Sequence, residues 1–171
     1  MASKVAVLLD DLINEQEFIY PYYRLREAGF ESVSVAAEKR VYRGKNGVPF
    51  TPDTIIGDVS AGEFEGVIVP GGYAPDNLRR NKAMVTFVRD LYGKGKVVAM
   101  ICHGGWVGIS AGIMKGRKLT STVAIRDDMI NAGVVWVDQA VAIDANLVTS
   151  RSPADLPDFM REVLKFLATA A

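Results

Sequence analysis

Along this chain, short apolar runs alternate with stretches whose apolar positions recur every three or four residues. Lys4-Val-Ala-Val-Leu-Leu9 is nearly continuous in its apolar character, as a strand buried on both faces must be. From Glu17 to Ala28 the apolar and aromatic positions Phe18, Tyr22, Leu25 and Ala28 fall on one helical face, and Gly29 stands where a C-terminal cap belongs. Pro21 lies early in that span, so the first turn starts late or bends there. Ser32–Ala37 reads as a second strand. Val41-Tyr-Arg43 and Val48-Pro-Phe50 flank Gly44-Lys-Asn-Gly47, the pattern of a hairpin arm outside the main sheet.

The alternation continues through the second half. Gly66–Val69 and Val97–Ile101 are core strands, separated by a helix over 82–92 with Met84, Val85, Val88 and Leu91 inward and Gly93 closing it. Short helices are expected over 106–111 and 128–132, and short strands over 134–137, 141–143 and 147–149. A closing helix runs from about Pro153 through Phe159, Val163 and Phe166. Strands alternating with helices give an α/β fold with a mostly parallel sheet covered on both faces. No repeat, low-complexity tract or linker interrupts the pattern, so a single domain over 1–171 is expected.

Composition narrows the function classes. Twenty basic residues balance twenty acidic ones, which offers nothing to attract nucleic acid or an anionic membrane. No apolar run approaches the ~18 residues of a membrane span. Met1-Ala-Ser-Lys4 leads straight into the first strand without a signal peptide, so a cytoplasmic address is expected. A single cysteine rules out an internal disulfide, and one cysteine with one histidine argue against a dedicated metal site; no cofactor is expected.

The candidate chemistry lies at the carboxyl ends of two strands, where open parallel sheets collect ligands. Pro70-Gly71-Gly72 follows the third core strand, and Cys102-His103-Gly104-Gly105 follows the fourth. A side chain between a strand and a helix start sits on a tight turn that small neighbours allow to close. Backbone N–H groups there favour a thiolate and can hold an oxyanion. His103, the only histidine, adjoins the only cysteine, and imidazole activates thiols. A glycine-rich phosphate loop is missing after the first strand, where Asp10-Asp11-Leu12 stands instead.

These residues also carry a family likeness. Val67-Ile-Val-Pro-Gly-Gly72, Ala99-Met-Ile-Cys-His-Gly104, Ile109-Ser-Ala-Gly112, Lys115-Gly-Arg-Lys118, Asp127-Asp-Met-Ile-Asn-Ala-Gly133 and Ser150-Arg151 with Pro153-Ala-Asp-Leu156 resemble, in order, the blocks of the PfpI/ThiJ family of the class I glutamine-amidotransferase-like superfamily. The resemblance implies a flavodoxin-like three-layer sandwich with a nucleophile elbow, assembled as a homodimer or as a hexamer of dimers. It implies Cys102 as nucleophile, His103 as its imidazole, and the N–H groups of Gly72 and His103 as the oxyanion site. Asp76 occupies the place of a family acid that reaches His103 from a neighbouring subunit; a helix N-cap is its plainer role. Gly71, Gly104, Trp106 and Thr122 are expected around the pocket, with Trp106 standing where many relatives have a smaller residue. Counting back from Glu17-Phe-Ile-Tyr-Pro21, the family's carboxylate beside the cysteine falls on Asn14, with Glu15 one residue away and Glu17 three. The implied activity is that of a cysteine-dependent hydrolase or lyase acting on small carbonyl compounds, their adducts or peptide-like substrates. The alternative is a non-enzymatic, redox-responsive stress protein or holdase that uses Cys102 as a sensor.

Overall fold

Residues 2–170 are described by the computed structural model. Seven strands form the central sheet: β1 (Lys4–Leu8), β2 (Glu31–Ala36), β3 (Thr54–Ile55), β4 (Phe64–Val69), β5 (Val97–Ile101), β6 (Val141–Asp144) and β7 (Leu147–Ser150). Their order is β6-β7-β5-β4-β1-β2-β3, and every pairing is parallel except β6 with β7.

The continuous apolar runs arise because successive residues of a strand face opposite layers. Val5, Val7, Leu9, Ile68, Ala99 and Ile101 pack into one core with Phe18 and Leu25 of α1 (Glu15–Glu27) and Phe159 and Val163 of α6 (Leu156–Ala170). Ala6, Leu8, Val67, Val69, Val98 and Met100 pack into the other. That second layer holds α2 (Ala74–Arg80), α3 (Lys82–Gly93), α4 (Gly105–Ala111) and α5 (Arg126–Asn131). The three-layer sandwich read from the sequence is the observed architecture.

The local differences have physical causes. Helix α1 begins at Glu15, two residues early, because the Asn14 side chain accepts from the N–H groups of Gln16 and Glu17 and caps it. Pro21 is accommodated inside that helix, one turn beyond the point where its missing N–H is harmless. Thr54–Ile55 is a two-residue edge strand too short to leave a periodic signature. Val135–Trp136 pairs with Lys118–Leu119, apart from the main sheet. Helix α2 went unread because its apolar positions are few: Ala74, Pro75 and Leu78 alone are buried. The expected hairpin arm pairs Tyr42 with Phe50 and Arg43 with Pro49 outside the sheet. Among the described residues no helix is long and apolar enough to cross a membrane.

The chain leaves β1 toward β2 on one side and returns to β4 on the other, so the strand order reverses between β1 and β4. The loops after these two strands therefore meet at the carboxyl edge. Ile13 and Gly72 form an isolated antiparallel bridge there, and the Tyr73 N–H donates to the Leu12 carbonyl at 2.9 Å. Cys102 follows β5, the neighbour of β4.

Candidate active site

Cys102 has φ of +59°, the left-handed region that a residue with a side chain seldom enters. The turn is held on both sides. Ile101 is the last paired residue of β5, opposite Ser150, and the Cys102 carbonyl accepts from the Thr122 N–H at 3.3 Å. A 3₁₀ turn over Cys102–Gly104 then leads into α4. The expected strand-to-helix elbow is present, and it projects the thiol toward Gly71 and Gly72. Gly104 is buried, and a Cβ there would lie 2.5 Å from the Val69 carbonyl oxygen. Its role is close packing of the elbow on β4 and not the pocket wall anticipated for it.

The carboxylate beside the cysteine is Glu17, which corrects the assignment to Asn14. Glu17 is fully buried. One oxygen, Oε2, accepts from the Gly71 N–H at 2.7 Å, the other, Oε1, is buried without a hydrogen-bond partner, and the carboxyl lies beside the Cys102 thiol, close enough for each to act on the other's titration. Gly71 has no room for a side chain, since a Cβ would lie 2.5 Å from Glu17 Oε2 and 2.7 Å from Cys102 Cβ. Asn14 is occupied as the helix cap, and its own N–H donates to the Gly71 carbonyl at 3.2 Å. Glu15 does not face the sulfur either; it accepts from the backbone and side-chain N–H groups of Asn46 and anchors the hairpin. The sequence held the signal. Glu17, Pro21 and Leu25 are one stripe at four-residue spacing, and all three are buried.

Burial pushes the Glu17 carboxyl up to about 7, against the Gly71 hydrogen bond and the Cys102 thiol, which favour its charge. The Cys102 thiol is pushed up to about 12, first by burial and then by the Glu17 charge, while the N–H groups of His103 and Gly72 pull it down. The lowered thiol expected from the turn alone is therefore overcome by burial first and by the neighbouring acid second. The two groups form one titrating unit: a first proton leaves near neutrality, and a second leaves only at the cost of two negative charges in contact. The thiol, pushed up to about 12, keeps the remaining proton.

His103 Nδ1 lies 3.3 Å from Cys102 Sγ. Burial and the Lys45 charge lower the imidazole, so it is neutral at pH 7. Its ring packs edge-on to Trp106 at 5.1 Å and tilts against Tyr73 at 6.3 Å. Trp106 is itself fixed, donating from Nε1 to Asp128 at 2.8 Å with the Arg79 guanidinium over its face. Trp106 thus serves packing and also backs the imidazole. Among the described residues no carboxylate pairs with His103. Asp76 lies in the first turn of α2, whose N-cap is Tyr73, so the N-cap role does not hold; the exposed side chain pairs with Arg80 at 3.2 Å. Thr122 reaches the elbow through its backbone N–H. The described residues contain no His, Cys, Asp and Glu group arranged to hold a metal ion.

Comparison with known proteins identifies the family. The profile of the DJ-1/PfpI family matches residues 3–166. The deglycase PfpI of Pyrococcus furiosus is 46% identical over 96% of this chain and 99% of its own length. Protein/nucleic acid deglycase 2 of Escherichia coli is 42% identical over 98% of this chain and 99% of its own. A two-domain protein of Anabaena variabilis, with DJ-1/ThiJ/PfpI-like and ferritin-like domains, superposes with a TM-score of 0.95 at 40% identity. The match covers 97% of this chain and 48% of that protein. In sequence across nearly its whole length, and in fold, the chain belongs to the DJ-1/PfpI family.

Proposed function

We propose that this chain is a cysteine-dependent hydrolase or lyase acting on small reactive carbonyl compounds or on their adducts with amines, a deglycase-type activity. The observation that carries this reading is the buried Glu17 carboxyl against Cys102, with the N–H groups of Gly72 and His103 on the same sulfur. Transfer of the thiol proton to Glu17 gives a neutral acid beside a thiolate. The sulfur adds to the carbonyl carbon, a C–S bond forms and the carbonyl π pair moves to oxygen. The two amides that held the sulfur are then available to the oxyanion, and the Glu17 proton neutralises it. The deglycase names carried by relatives at 46% and 42% identity support the carbonyl-adduct class over a peptidase.

His103 lacks an acid of its own chain among the described residues, and Asp76 points outward. A homodimer, or a hexamer built from dimers, in which Asp76 of one copy serves His103 of the next would complete the site. The test is turnover of methylglyoxal and of a glycated amine by purified protein beside Cys102→Ser, which is expected to keep the fold and lose activity. Retention of most activity by Cys102→Ser would overturn the nucleophile assignment. Mixing Asp76→Ala with Cys102→Ala is expected to restore part of the turnover, and full activity in a demonstrated monomer would exclude the shared site.

A further inference from the structure

The hairpin outside the sheet brings a cation to the site. Its tip is pinned at three points to the loop after β1 and the first residue of α1. The Leu12 N–H donates to the Arg43 carbonyl at 2.7 Å, the Lys45 N–H to the Ile13 carbonyl at 2.8 Å, and Asn46 Nδ2 to Glu15 at 2.8 Å. Ile13 in turn bridges Gly72, whose N–H faces the Cys102 sulfur. Lys45 therefore lies two strand spacings from Gly72, roughly 10 Å, a gap that a four-carbon stem largely closes. The side chain is exposed, and among the described residues no carboxylate forms an ion pair with it. Its charge is felt at both catalytic partners, where it favours ionised Glu17 and disfavours protonated His103. Glu15, the nearest acid on the hairpin's support, is buried and engaged by Asn46.

We propose that Lys45 is the specificity residue that makes the Cys102 site select carboxylate-bearing partners, so that its preferred carbonyl substrates are 2-oxo acids or aldehyde acids over neutral dicarbonyls. The substrate half of this statement rests on the carbonyl-directed reading of Cys102. The geometry is that of a small molecule with its carbonyl carbon at Sγ and its oxygen on the Gly72 and His103 amides. The Gly72–Ile13 bridge leads from that oxyanion position toward Lys45, so a carboxylate on the adjoining carbon has the ammonium within reach. An exposed ammonium roughly 6 Å from a carboxylate changes its binding by about three- to tenfold at low ionic strength.

The experiment compares alkylation of Cys102, the only cysteine, by iodoacetate and iodoacetamide. In both reactions the sulfur displaces iodide from a methylene carbon; the reagents differ in carboxylate against amide. Their rate ratio cancels the thiolate fraction, which is common to both. The ratio is expected to exceed that of the urea-unfolded chain by about fivefold, to fall to the unfolded value in Lys45→Met, and to fall further in Lys45→Glu. Added salt is expected to abolish the excess. For turnover, the kcat/KM ratio of glyoxylate to methylglyoxal is expected to fall by a similar factor in Lys45→Met. An alkylation ratio unchanged by Lys45→Met overturns the proposal, whatever the turnover. A Lys45-dependent alkylation ratio without turnover of either carbonyl compound supports the anion selectivity and refutes the carbonyl enzyme.

Discussion

Glu17→Gln isolates the buried acid with little change of shape. The amide oxygen can still accept from Gly71, but the group no longer ionises. In the folded protein the Glu17 carboxyl titrates near 7, whereas its ordinary value is 4.5. Between those values the folded state keeps a proton that the unfolded chain releases. Wild-type stability from this group therefore declines as pH rises from about 4.5 to about 7, and is flat beyond. The full drop is about 3 kcal/mol, the free-energy equivalent of the displacement for a fully buried group. It is a large share of the 5–15 kcal/mol typical of a domain.

The assay is urea unfolding of wild type and Glu17→Gln from pH 4 to pH 8, at one protein concentration. Subtracting the two curves cancels titrations that the substitution leaves alone, including that of Asp10, which burial also raises. The difference is expected to move in favour of the glutamine variant by about 3 kcal/mol across the window, while its catalytic rate falls by about 10²–10⁴. A constant stability difference from pH 4 to pH 8 would show that Glu17 ionises as an ordinary surface carboxyl. The account of Glu17 and Cys102 as one titrating pair would then fail with it.

Other substitutions separate scaffold from chemistry. Asn14→Ala is expected to cost about 1 kcal/mol through loss of the helix cap, seen as a lower urea midpoint, whereas Asn14→Asp keeps the cap. Gly72→Ala is expected to destabilise by several kcal/mol, because φ is +74° and the new Cβ would lie 2.5 Å from the Asn14 nitrogen and against the Leu12 carbonyl oxygen. Gly47→Ala, at φ +90° with open space around it, is the control; it is expected to pay only the backbone cost of about 1–2 kcal/mol. Equal losses in the two alanine variants would mean that backbone conformation, and not the Gly72 contacts, sets the cost.

The sandwich was legible because its strands are buried on both faces. Val5, Ala6, Val7 and Leu8 alternate between two cores, and both demand apolar side chains, so the run is continuous. The strand-to-helix turn at Cys102 was legible for a different reason. The cysteine comes directly after five buried strand residues and before His-Gly-Gly, where small neighbours let a strand-to-helix turn close. What could not be read were elements whose existence depends on partners distant in sequence. Thr54–Ile55 is a strand only because Val35 and Ala36 offer an open edge. Arg151 shows the same limit: its fork closes on Asp155 and Asp138, an arrangement set by the chain's return along β7.

The acid beside the sulfur has a signature in the sequence, and it lies in the start of α1. Asn14-Glu15-Gln16-Glu17 has the spacing of a capping box, in which the third helical residue reaches back to the cap's own N–H. Here that N–H is taken by the Gly71 carbonyl. Glu17 is thereby released from the capping role and turned inward, onto the Gly71 N–H and the thiol. A single loop residue thus supplies both the acceptor that displaces the glutamate and the donor that receives it. The same residue must lack a side chain for Glu17 and Cys102 to touch. Register of α1, the glycine turn after β4 and the protonation of the cysteine pair are consequently one structural decision, so a change to the cap phase of this helix acts on the chemistry of Cys102.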